Sequence, residues 1–116
     1  MDEQHINHIK IGKLLKRKRE EIEVSQPEIA RLLNLKNYNQ ISMIENGRAN
    51  MPAKRIGDFT RVYQFNTIDS GIFIKKLHPK TWQVFLDIVD FKYKDAHQLN
   101  TEVENNYNNY IEKFKI

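Results

Sequence analysis

The chain has 116 residues, of which 40% are hydrophobic, enough to bury one core, or one compact domain with a docked helical extension, but not two independent domains. It contains no cysteine, which excludes a disulfide framework and a thiolate zinc site. Its apolar runs are a few residues long, and Met1 to Gln4 lacks the basic start and hydrophobic stretch of a secretion signal, so a cytoplasmic location is expected.

The net charge is +4, and its distribution carries more information than its size. Residues 1–66 hold 12 Lys/Arg against 8 Asp/Glu, whereas residues 67–116 hold 7 of each. The excess centres on Lys10, Lys13, Lys16, Arg17, Lys18 and Arg19, which suggests a polyanionic partner. A solvated helix face would give the same run, so the charge needs support from elsewhere.

In chain order, Met1 to His8 has no clear periodicity and is expected to fray. Ile11, Leu14, Leu15 and Ile22, with the stem of Lys18, recur at helical spacing and predict an amphipathic helix from Ile9 to Glu21. Ser25-Gln26-Pro27-Glu28 is the sharpest start signal. It sets a hydroxyl at an N-cap, proline in the first turn and a carboxylate three residues on to reach back. The helix it opens runs to Leu33 and buries Ile29, Ala30 and Leu33; Asn34 can take the left-handed conformation that ends it, and Leu35 returns the chain to the core.

Asn37 and Gln40 repeat the capping spacing with amides, so a third helix is expected from near Tyr38 to Gly47. Ile41 and Ile44 point inward on it, leaving Tyr38, Asn39, Ser42 and Met43 outward. Pro52 opens a fourth helix with Ile56, Phe59, Thr60 and Tyr63 on one face. A short segment from Asp69 to Leu77 stops at His78-Pro79. Next comes a helix with Trp82, Phe85, Leu86, Val89 and Tyr93 along one stripe. A last helix is expected from Thr101, where Thr101 and Glu104 form a capping box, with Val103, Tyr107, Tyr110, Ile111 and Phe114 inward.

Two short helices joined by a tight turn, the second with a polar outward face near its start, can enter a DNA major groove. Asn and Gln amides donate and accept together and so match adenine, while an apolar group can meet a thymine methyl. Asn39 and Gln40 suit the first contact and Met43 the second.

With Ser25-Gln26, Ala30, Ile41-Ser42 and Ile44-Glu45-Asn46-Gly47-Arg48 in place, the stretch from Ile11 to Phe65 resembles the Xre/Cro helix-turn-helix family of phage-repressor-like regulators. The resemblance implies an all-helical, five-helix lambda-repressor-like domain over residues 9–77, with residues 78–116 as a helical extension for dimerisation or partner binding. It also implies that Gln26 and the loop around Asn46 and Arg48 hold phosphates, and that the start of the third helix reads bases. Lys36 joins the phosphate set, and Asn37, Tyr38, Asn39, Gln40, Ser42 and Met43 form the base-reading set. Five residues, Lys36 to Gln40, separate Leu35 from Ile41 where the family more often has four. The reading register is therefore open by one position, and Gln40 either caps its own helix or reaches adenine. Glu45 is expected to pair within the fold, because phosphates would repel it.

The expected function is sequence-specific binding of double-stranded DNA by a transcriptional regulator, a dimeric repressor reading an inverted repeat through its third helix. A protein-interaction module, antitoxin-like or adaptor-like, is the alternative. Eight of the 12 aromatic residues follow Asn66, so the later helices complete the core, form a homodimer, or both. His5 and His8 stand i, i+3 near Asp2 and Glu3, as two metal ligands could, but a frayed terminus is the better reading. No nucleophile elbow, glycine-rich phosphate loop or HExxH is present, so no enzyme activity, cofactor or metal is expected.

Overall fold

The computed structural model describes residues 2–116, and among them every regular element is helical. Seven α-helices follow in order: α1 (Glu3–Glu21), α2 (Gln26–Leu32), α3 (Asn39–Glu45), α4 (Ile56–Val62), α5 (Ser70–Leu77), α6 (Pro79–Tyr93) and α7 (Ala96–Phe114). Short 3-10 turns lead into α4 and α5. No helix among these residues is long and apolar enough to cross a membrane.

One termination device recurs. Glu23, Asn34, Gly47, Gln64 and Lys115 all have positive φ, and in each case the next residue donates its N–H five residues back. The bonds are Val24 to Arg19, Leu35 to Ala30, Arg48 to Met43, Phe65 to Thr60 and Ile116 to Ile111, at 2.8 to 3.1 Å. This is the Schellman closure, which satisfies orphan carbonyls and throws the following side chain back toward the body. Phe65 arrives this way and packs edge-on against Phe73 and Tyr110.

The core is continuous from α1 to α7. Leu14, Leu15, Ile29, Ile41, Phe59, Tyr63 and Phe73 share one buried cluster with Trp82, Val103 and Tyr107. Helix α5 packs on α1, α4, α6 and α7. A side chain at Gly71 of α5 would collide with Val103 and Trp82, 2.8 Å and 3.4 Å away. Polar ties hold the last helix down: Tyr110 donates to the buried Asp69 carboxylate at 2.6 Å, and Lys113 stands 2.9 Å from Glu21 of α1.

Four expectations are corrected. The first helix begins at Glu3, two turns before Ile9, because Asp2 accepts from the His5 N–H at 2.8 Å and Gln4 donates to the Lys76 carbonyl of α5 at 3.0 Å. The start of the chain is thus anchored by tertiary contact; Met1 lies outside the described residues. Ser25 caps α2 as expected, accepting from Glu28 N at 3.2 Å, but the Glu28 carboxylate pairs with Arg31 instead of reaching back. Helix α7 begins at Ala96, not Thr101. Its first turns pack beside α6, where Asn100 accepts from the Trp82 indole at 2.9 Å, and Glu104 bonds Lys76 of α5 instead of a cap. On α6, Trp82 is buried and Leu86 and Val89 are half-buried, but Phe85 and Tyr93 are exposed.

Candidate nucleic-acid interface

Helices α2 and α3 are seven residues each, joined by the six residues from Leu33 to Tyr38. Ile29, Ala30 and Leu33 on one side, and Ile41 and Ile44 on the other, bury the shared face. The turn is set by Asn34 at φ 59° and by Asn37, whose side-chain oxygen accepts from the Asn39 N–H at 2.9 Å. Asn37 therefore opens α3 itself, as asparagine does where it folds the backbone back on its own amide. No side chain caps the helix at Tyr38, and Gln40 does not supply the reciprocal bond that its spacing suggested.

A buried charge network fixes α3 against the rest of the molecule. Glu45, 4% exposed, ends the helix. Arg19 of α1 grips its carboxylate with two hydrogen bonds of 2.9 Å, from Nε to Oε2 and from Nη2 to Oε1, and donates a third from Nη1 to the Val24 carbonyl. Tyr63 of α4 donates to Oε2 at 2.8 Å and Gln26 of α2 to Oε1 at 3.0 Å. Four helices thus meet on one carboxylate. The bond to Glu45 holds the Arg19 guanidinium above its ordinary value. Burial first, and then the Glu45 charge, push the Tyr63 hydroxyl well above the tyrosine range.

The backbone makes this approach possible. A side chain at Gly12 of α1 would fall on the carbonyl oxygens of Ile44 and Glu45, 2.7 Å from the former, and one at Gly47 would stand 3.0 Å from the Ile9 Cα. Gly47 also needs its φ of 73° to close α3. The two glycines let α1 and the end of α3 touch main chain to main chain.

The surface that remains is polar with two large apolar groups. Lys36, Asn37, Tyr38, Asn39, Met43, Asn46 and Arg48 are exposed, and Gln40 and Ser42 are half-buried. Asn46 donates weakly to Ser42 at 3.4 Å along the outer face. Tyr38 and Met43 are the large apolar groups exposed on this side. Lys36 and Arg48, at the two ends of α3, enter no ion pair among the described residues. No protein-family model matches this chain, and no curated protein or solved structure is significantly similar to it.

Four residues of the base-reading and phosphate sets already make side-chain hydrogen bonds, Ser42 with Asn46 among them. The Gln26 amide nitrogen donates to Glu45, and the Asn37 oxygen is held by its own turn. The basic run of α1 is divided. Arg19 belongs to the buried network, and Lys18 pairs with Glu21 and lies over the Phe65 ring. Lys13, Lys16 and Arg17 line a separate cleft with Lys115. Sequence periodicity did not single out Arg19 or Gly12. A glycine inside a helical pattern, which often marks close backbone approach, was the available signal.

His5 and His8 are not gathered with other ligand side chains. Asp2 is occupied as a cap, the His8 ring donates from Nδ1 to the Gln4 carbonyl at 2.7 Å, and no group of three or more ligand side chains occurs among the described residues.

Proposed function

We propose that the protein binds double-stranded DNA sequence-specifically, as a transcriptional regulator in which α2 and α3 act as a helix-turn-helix unit of the Xre/Cro type. The observation that carries this reading is the exposed start of α3, with Tyr38, Asn39 and Met43 outward and an unpaired cation at either end, Lys36 and Arg48. A major groove admits one helix, and amide and apolar groups at its leading end meet base edges while flanking cations meet phosphates. In this reading Asn39, Gln40 and Met43 specify, Ser42 and Tyr38 support them, and Arg48, Lys36, Asn46 and the free edge of the Gln26 amide orient the protein. Two copies read an inverted repeat, since one helix spans too few base pairs to locate a site in a genome, and repression follows from occluding a promoter.

The experiment is selection of bound duplexes from a random pool at physiological salt. The reading predicts an inverted repeat with half-sites about 34 Å, one helical turn, apart. Enrichment of no motif, with salt-sensitive background alone, overturns it. A protein-interaction role of the antitoxin or adaptor kind draws support from a different feature, the exposed apolar face of α6. A stable hetero-complex on purification from the native host would favour that role.

A further inference from the structure

Helix α6 has two apolar faces. Trp82, Leu86 and Val89 turn toward the body. On the other side Val84, Ile88 and Phe91 form a second stripe, exposed by 59%, 61% and 90%. Beside its N-terminal half, Phe85 borders a cavity of about 200 Å³ with Ile68, Ile74, Trp82, Leu99 and Val103. Stripe and cavity rim offer on the order of 500 Å² of accessible apolar surface, the centre of an interface whose polar rim brings it toward the roughly 800 Å² per partner of a stable one.

From this surface we infer that α6 pairs antiparallel with α6 of a second copy about a twofold axis passing at Ile88. The surface complements itself. The projecting Phe91 and the cavity-edge Phe85 lie three residues to either side of Ile88, so an antiparallel pairing sets each Phe91 against the Phe85 end of the other copy. The same register opposes the two helix dipoles. Helix α6 packs on α5 and α7, and α3 on α1 and α2, so the pairing does not use the helix that the DNA-binding reading needs. The contact supplies the second copy that the DNA-binding reading requires and rests on that reading for its purpose, although the surface argument stands without it.

The chain has no cysteine, which makes single-cysteine cross-linking of the full-length protein specific. Ile88→Cys is expected to form a disulfide-linked dimer under mild oxidation. Val84→Cys is not, because an antiparallel register holds two such positions roughly 12 Å apart along the axis, beyond disulfide reach. Sedimentation velocity without DNA is expected to give a dimer that Ile88→Glu converts to monomer with the helical circular dichroism unchanged. A wild-type monomer at tens of micromolar, an Ile88→Glu dimer, or equal cross-linking at both positions overturns the proposal. A dimer that selects no DNA motif supports this contact while removing the DNA reading. A monomer that selects a single half-site does the reverse.

Discussion

Gln26 Nε2 stands 3.0 Å from Glu45 Oε1, so the first turn of α2 is bonded to the last turn of α3 through a carboxylate that also holds Arg19 and Tyr63. The side chain expected to meet a phosphate is thereby part of the device that orients the helix expected to meet bases. Removing the charge partner should be costly, because an uncompensated buried charge costs about 3–5 kcal/mol. Arg19→Met is expected to lower unfolding free energy by that amount in urea titration. Arg19→Lys should fall between it and wild type, since an ammonium cannot reproduce the two-point grip.

Two glycines on helices should respond with opposite signs. Gly12→Ala drives a methyl into the Ile44 and Glu45 carbonyls and should cost at least ~1–3 kcal/mol, the usual penalty of overpacking. At Gly57 nothing lies within 4 Å, so Gly57→Ala should gain about 0.5–1 kcal/mol from helix propensity and a less disordered unfolded chain. Thermal unfolding of the two variants checks both; a stabilised Gly12→Ala would contradict the close approach of α1 to α3.

High pH should weaken the fold. Burial pushes the Tyr107 hydroxyl up to about 12, and Tyr63 and Tyr110 are raised as well, each by burial and by a neighbouring carboxylate, Glu45 and Asp69. The unfolded chain gives up these protons at about pH 10, while the folded chain keeps them, so unfolding releases protons and stability falls as pH rises from about 10 upward. Denaturant midpoints between pH 9 and 11 measure this. Tyr63→Phe should flatten the pH dependence while lowering the starting stability by about 1–3 kcal/mol, because Glu45 loses a buried donor.

Asn39 and Arg48 should separate specificity from affinity. Asn39→Ala is expected to alter the selected sequence, with a loss of about 1–3 kcal/mol at one base position. Arg48→Ala should weaken binding to all duplexes alike and reduce the salt slope by about one phosphate contact. Equal loss on selected and random DNA for both variants would reject this division of roles.

The all-helical class and the local order from Ser25 to Gly47 were legible because capping chemistry is local. Ser25, Asn34 and Gly47 each act within a few residues of where they stand, and the inward pairs Ile29 with Leu33 and Ile41 with Ile44 follow from period alone. Elements fixed by partners far along the chain were not legible. Glu3 to His8 forms a helix because Gln4 meets Lys76, and Ala96 to Asn100 does so beside Trp82. The second apolar stripe of α6 was missed because the stripe through Trp82, Leu86 and Val89 already supplied an inward face, and Val84, Ile88 and Phe91 stand on its other side. The run from Lys16 to Arg19 looked like one basic face, yet the side chains diverge around the helix into a buried pair, a covered stem and an open cleft.

The hydrogen bond from Tyr110 to Asp69 joins positions 41 residues apart. Ring-closure entropy grows only with the logarithm of such a span, so the separation costs little in equilibrium stability, but it sets an order of events. Until α7 arrives, Asp69 keeps its water, and the edge of Phe65 that Tyr110 will cover stays open. Docking of the final helix strips a carboxylate of its hydration and must replace that water with a phenol in the same step. A chain emerging from the ribosome carries every residue of the α2–α3 turn before Tyr110 is made, so the Asp69 contact can close only after that turn is complete in sequence.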